Sequence, residues 1–186
     1  MLLQHFLGLS ICPSAKCEEP GNLGREMSGI IDRRLSELGI ELPEPSRPGA
    51  NYVPFVREGN LIFITGQLSQ WNGERRFIGK LGEAFTLESG QEAARLAALN
   101  VISQLREACD GDLDRVVRCI RIGVYVNSDP AFHSQSQVAN GASDLFVDVF
   151  GNVGRHTRMA VGVAALPYDV AAEVEGVFSA PDRRPP

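Results

Sequence analysis

Arg158-Met159-Ala160-Val161-Gly162-Val163-Ala164-Ala165-Leu166-Pro167-Tyr168-Asp169-Val170-Ala171-Ala172-Glu173-Val174-Glu175-Gly176-Val177-Phe178 is the stretch on which the fold turns. Two runs of small and β-branched residues flank Leu166-Pro167-Tyr168-Asp169, which has turn composition. Read locally, the stretch is a terminal hairpin with an arginine heading one strand and two glutamates on the next. Closing it at Pro167-Tyr168 pairs Arg158 with Val177 and Ala160 with Glu175. Arg158, Glu173 and Glu175 then share one face, with Glu175 diagonal to Arg158 and Glu173 about 14 Å along. Charges beside an apolar region are costly unless partnered. Either Arg158 and Glu175 form a structural ion pair, or Arg158 and Glu173 flank a small anionic ligand.

Working back from this stretch, hydrophobic periodicity gives the order of elements. A short helix is predicted from Ile30 to Leu38, followed by an extended connector over Glu41–Gly49 that holds three prolines. Tyr52–Arg57 and Leu61–Gly66 read as strands around a Glu58-Gly59-Asn60 turn, and residues 67–83 as a loop or ragged second hairpin. Ala94, Ala97, Ala98, Val101, Leu105 and Ala108 recur at helical spacing after a start at Thr86 or Ser89. A strand over Val116–Val126 and a second long helix over Val138–Phe150, stopped by Gly151, precede the terminal pair. Gly141 inside that helix implies close packing, because glycine there otherwise only weakens the helix. The order β-β-α-β-α-β-β predicts an α+β layer with helices on one sheet face. The other face, with Arg121 and Tyr125, is too apolar to stay wet, so a homo-oligomer is expected.

The 186 residues suit one domain: a non-core extension over 1–26, a helix and Pro-rich lead-in over 27–49, the domain over 50–180 and a tail over 181–186. For the extension, a dispensable segment upstream of Met27 is weighed against a signal or tail; Leu9-Ser10-Ile11-Cys12 lacks a basic lead and a small residue before the cysteine. No run is long enough to span a membrane. A net charge of −5, with no basic stripe, argues against a nucleic-acid groove; Arg75-Arg76 reads as a solvated pair. The four cysteines form no CxxC pair and the three histidines lack ligand spacing, so no metal and no cofactor is expected. Cys109 and Cys119 read as reduced core thiols of a cytoplasmic protein.

Two segments resemble the Rid family (RidA, YjgF, also called endoribonuclease L-PSP). They are Tyr52-Val53-Pro54-Phe55-Val56-Arg57-Glu58-Gly59-Asn60 through Thr65-Gly66-Gln67, and Arg158 through Leu166-Pro167 to Glu173-Val174-Glu175. The resemblance covers residues 50–178. Asn140-Gly141-Ala142-Ser143-Asp144-Leu145-Phe146 and the run from His156 to Ala164 resemble a divergent branch of it. The resemblance implies a chorismate-mutase-like fold and a homotrimer with sites at subunit clefts. It implies hydrolysis of reactive 2-imino or enamine acids to 2-keto acids and ammonia. Arg158 matches the arginine that grips the substrate carboxylate, and Glu173 the acid that orients or activates water. Gly66 matches a backbone that approaches the ligand, Tyr52 a tyrosine beside it, and Thr65 replaces a frequent serine. Ala160 stands where RidA-type members often carry cysteine. The longer Phe132–Phe150 segment leaves that family's helix asparagine unassigned.

Three functions follow, in order: an enamine/imine deaminase, a non-catalytic trimer that senses small carboxylates, and a ribonuclease or translation inhibitor, which the acidic charge disfavours.

Overall fold

The computed structural model describes residues 29–182, so the expectations for residues 1–26 and for the end of the tail lie outside it. Helix α1 (Ile30–Glu37) starts on the Asp114 carboxylate, whose two oxygens accept from the Ile30 and Ile31 amides at 2.7 and 2.8 Å. A distant acid thus satisfies donors that the helix cannot satisfy itself. Strands β1 (Phe55–Glu58) and β2 (Leu61–Leu68) form the predicted antiparallel hairpin, with Gly59 at φ +55° in its turn. The ragged stretch contains a second hairpin, β3 (Gln70–Trp71) and β4 (Glu74–Arg75).

Helix α2 (Leu87–Ala108) begins at Thr86, whose side chain accepts from the Ser89 amide at 3.3 Å. Strand β5 (Arg118–Asn127) follows, then a short α3 (Gln135–Val138), α4 (Asn140–Phe150), β6 (Thr157–Val163) and β7 (Ala172–Ser179). Gly151 closes α4 at φ +60°. The alanine face of α2 lies on the sheet, and α4 crosses it through Gly141, where a Cβ would overlap the Gln91 carbonyl oxygen. The α+β architecture with helices on one face of a mixed sheet is as expected.

The terminal hairpin is not. The sheet order is β1-β2-β7-β5-β6, so β5 lies between the two strands that adjacency in sequence had paired. β6 runs parallel to β5, with Arg158 opposite Ile122, while β7 runs antiparallel to β5 and β2. Their connection does not close as a tight turn. Tyr168 and Asp169 both take φ +57°, and the segment is bound elsewhere: the Gly79 amide donates to the Asp169 carbonyl at 2.7 Å and the Ala171 amide to that of Phe77 at 2.8 Å. Inserting β5 gives its Ile122, Val124 and Val126 a fully buried central position and satisfies its backbone on both edges.

Register then decides the faces. Ile64, Gly176, Ile122 and Arg158 lie in one row across the sheet, as do Leu68, Glu173, Tyr125 and Val161 in another. Side chains in a row share a face, and neighbours along a strand alternate. Ile64 and Ile122 are core residues under the helices, so Arg158 is on the helix-covered face. Glu173 and Glu175 are on the opposite one. The single-face arrangement of these three charges, expected from a hairpin, is therefore overturned.

Because Gly141 touches backbone that cannot yield, Gly141→Ala is expected to destabilise the fold by about 1–3 kcal/mol in urea titration. Gly49→Ala, with open space around it, is expected to change stability by less than about 0.5 kcal/mol. Equal midpoints for the two variants contradict the crossing.

Candidate functional site

β7 alternates strictly: Ala172, Val174, Gly176 and Phe178 enter the core, leaving Glu173 and Glu175 on the open face. Each glutamate lies across a glycine of a neighbouring strand. A Cβ on Gly66 would overlap the Glu173 carboxylate, and one on Gly123 would lie 2.7 Å from Glu175 Oε1. Gly66 is thus needed where the β2–β7 register slips, to seat Glu173 rather than only to admit a ligand.

The two acids differ in what they meet. Glu175 Oε1 accepts from the Tyr125 hydroxyl at 3.0 Å, and burial, reinforced by this bond, pushes the Tyr125 phenol up. No described donor reaches the Glu173 carboxylate, which is half-buried. Burial first, and the Glu175 charge second, raise its pKa above the ordinary carboxylate range. The expected Arg158–Glu175 ion pair does not form, because these residues are on opposite faces.

Glu173 opens into a cleft of about 360 Å³ that Tyr52, Thr65 and Gly66 also line. Four of the five residues singled out from sequence therefore meet. Buried polar side chains hold the walls: Gln104 Nε2 donates to the Ser46 carbonyl at 2.6 Å, and Ser46 Oγ donates to Gln67 Oε1 at 2.9 Å. The cleft also holds Arg47, Arg75 and Tyr168, which sequence reasoning missed. Arg75 is solvent-exposed, as expected, yet it is not a free-standing charge: its guanidinium carbon sits 3.4 Å from the centroid of the Tyr168 ring. A signal was present in the Asn72-Gly73 turn, which places Arg75 on a hairpin, but not in what that hairpin faces.

The fifth residue, Arg158, heads edge strand β6 and is held by neutral groups. Nη1 donates to Asn140 Oδ1 at 2.9 Å and Ser143 Oγ at 3.0 Å, and Nη2 to the Ser136 carbonyl at 2.9 Å. His156 completes the network. Its Nδ1 lies 2.6 Å from the Gly154 carbonyl, so Nδ1 carries the proton and Nε2 accepts from Ser143 Oγ at 3.0 Å. Burial chiefly, with the Arg158 charge adding, pushes His156 below its usual pKa and keeps it neutral near pH 7. Among the described residues Arg158 has no carboxylate partner. Its positive charge is positioned but not neutralised.

The family model described as "YjgF/chorismate_mutase-like, putative endoribonuclease" matches residues 32–176. The chain belongs to this family. Protein TCP17 of Trypanosoma cruzi is 48% identical over 151 residues, spanning 81% of this chain and 94% of that one. The solved protein Atu1372 of Agrobacterium tumefaciens, of unknown function, is 41% identical, with a TM-score of 0.77 over 83% of this chain and 95% of its own. A Shewanella oneidensis protein described as a "putative endoribonuclease" is 33% identical, with a TM-score of 0.78 over 80% and 98% of the two chains. Within this YjgF/chorismate-mutase-like chain, the two motifs that marked a divergent branch converge in space. Asn140 and Ser143 from one, and His156 and Arg158 from the other, make the guanidinium network.

The raised Glu173 pKa sets a stability test. The folded chain holds this proton more tightly than the unfolded one, whose glutamate titrates near about 4.3. The resulting stability is fully present below the unfolded pKa and is lost as pH rises through the folded one. Glu173→Gln removes that loss, so its Tm is expected to exceed wild type at pH 8, with the gap narrowing toward pH 4. A constant or inverted gap in scanning calorimetry contradicts the electrostatic account.

Proposed function

We propose that the protein hydrolyses small 2-imino or enamine acids to 2-keto acids and ammonia, at clefts between the subunits of a homotrimer. One observation carries this reading. An unpartnered, half-buried carboxylate and an unneutralised arginine, the two groups such chemistry needs, stand on opposite faces of one sheet. A single chain cannot apply both to one small molecule, whereas a neighbouring copy could bring its Arg158 to this chain's Glu173. The open face supports such a neighbour, since Val56, Phe63 and Met159 remain 51%, 44% and 56% exposed.

The chemistry follows from the groups. The guanidinium grips the substrate carboxylate through two parallel hydrogen bonds. Ionised Glu173 takes a proton from water as its oxygen bonds to the imine carbon, and passes that proton to the imine nitrogen as the C=N π bond breaks. Glu173, ionised again, then takes the hydroxyl proton of the carbinolamine as the carbonyl forms and delivers it to the nitrogen, which leaves as ammonia when the C–N bond breaks. A Glu173 pKa nearer neutrality suits both halves of that transfer.

Ala160, in place of a frequent family cysteine, favours a second reading in which the trimer binds 2-keto acids without turning imines over. Ribonuclease activity, suggested by the name of the matching family, is disfavoured by the net charge of −5.

With imines generated by an amino-acid oxidase, Arg158→Ala and Glu173→Gln are each expected to slow keto-acid formation by about 10²–10⁴-fold. Co-expressing the two variants at equal levels is expected to restore about a quarter of wild-type activity. Three in four random trimers are then hybrids, each keeping one intact site of three. Equal rates for wild type and Arg158→Ala sink the proposal, and absence of restoration sinks the shared site. Saturable binding of a 2-keto acid with no imine turnover selects the sensor.

A further inference from the structure

The Glu173 cleft contains two cations that the hydrolytic scheme does not use. Arg47 and Arg75 both line it, and neither is ion-paired among the described residues; the nearby ion pair joins Arg76 to Glu74 instead. Two arginines against one carboxylate make the cleft positive in a chain whose net charge is −5.

Both arginines sit on well-anchored backbone. The hairpin that carries Arg75 is pinned by buried Asn100, whose Nδ2 donates to the Gln70 carbonyl at 2.7 Å. Buried Ser69 bonds Arg76 twice: its carbonyl accepts from the Arg76 amide at 2.8 Å, and its Oγ donates to the Arg76 carbonyl at 2.9 Å. Arg47 follows Ser46, which Gln67 and Gln104 hold. Glu44, three residues earlier, donates its amide to Asn72 Oδ1 at 2.8 Å, tying the connector to the hairpin.

Tyr168 supplies the surface on which Arg75 lies. The positive φ of Tyr168 and Asp169 is a costly conformation for residues other than glycine. It persists because Asn127 Nδ2 donates to Asp169 Oδ1 at 2.8 Å, and the Gly79 amide to the Asp169 carbonyl. A guanidinium stacked on a ring keeps its N–H edge free to bind a planar anion.

We propose that Arg75 and Arg47 form a second anion subsite, and that the preferred substrate is an imino diacid carrying a side-chain carboxylate. This rests on the hydrolase reading, in which Arg158 of a neighbouring copy takes the α-carboxylate. The second carboxylate then meets the stacked Arg75, with Arg47 beside it. A monocarboxylate leaves both cations of the cleft without an anion. A diacid offsets them and keeps its second charge away from Glu173.

The test compares 2-oxoglutarate with 2-oxopentanoate by calorimetry, and the imines of glutamate with those of norvaline as substrates. Wild type is expected to favour the diacid by at least about tenfold in both assays. Arg75→Met is expected to erase most of that ratio, Arg75→Lys to leave an intermediate value, and Arg47→Met to reduce it. Arg158→Ala is expected to weaken both acids while keeping their ratio. Turnover of both imines by wild type without a diacid preference overturns the subsite and leaves the hydrolase standing. A preference that survives in Arg75→Met likewise overturns it. Neither acid binding and neither imine reacting overturns both.

Discussion

Everything in this molecule depends on one constraint, that residues along a β-strand point alternately to opposite sides. β7 lies between β2 and β5 and spends its even-numbered residues on the core, Ala172, Val174, Gly176 and Phe178. Its odd-numbered residues have no choice of side, so Glu173 and Glu175 must stand on the open face. Two half-buried carboxylates there need room, and Gly66 and Gly123 supply it by lacking the Cβ that would collide. The bond from Tyr125 then divides the pair. It occupies Glu175 and leaves Glu173 to face the cleft with a raised pKa.

The same alternation places Arg158 under the helices. Its row in the sheet contains Ile122 and Gly176, and at a core strand position such a charge would be prohibitive. β6 is an edge strand, however, and Arg158 sits at its head. Its guanidinium escapes the apolar layer and finds neutral acceptors on α3 and α4. Neutral partners orient the cation and do not spend its charge. The Asn140, Ser143 and His156 network therefore orients a cation that has no carboxylate partner among the described residues, as the proposed anion grip requires.

Much of the framework was legible in the sequence. The alanine stripe of α2, the Thr86 start, the Gly59 hairpin and the stop at Gly151 all appear where local periodicity and turn chemistry put them. Gly141 was read as a close-packing site from helix propensity alone, and α2 crosses there. Tyr52, Thr65, Gly66 and Glu173 could be named because they fall in two family-like segments. Arg47, Arg75 and Tyr168 could not, since each lies in a connector or turn whose direction depends on distant anchors such as Asn100, Gln104 and Asn127. Arg75 is exposed, as read, but nothing near it in sequence announces the ring of Tyr168.

What the sequence determined by itself was the identity of the elements, the layer class, the family to which the chain belongs and the two residues on which its chemistry is proposed to rest. The elements and the layer class come from short-range rules, namely helical and strand periods, caps and turns; the family and the two residues come from the resemblance carried by two segments. What only the tertiary structure decided was which strands are neighbours. The stretch from Arg158 to Phe178 has every local mark of a hairpin, yet β5 lies between its halves. A chain pairs strands by what buries the most apolar surface and satisfies the most backbone, not by what is adjacent. β5 is the strand with the most to bury. That single insertion moves Arg158 to the other face from Glu173, and with it the proposed site from within one chain to between two.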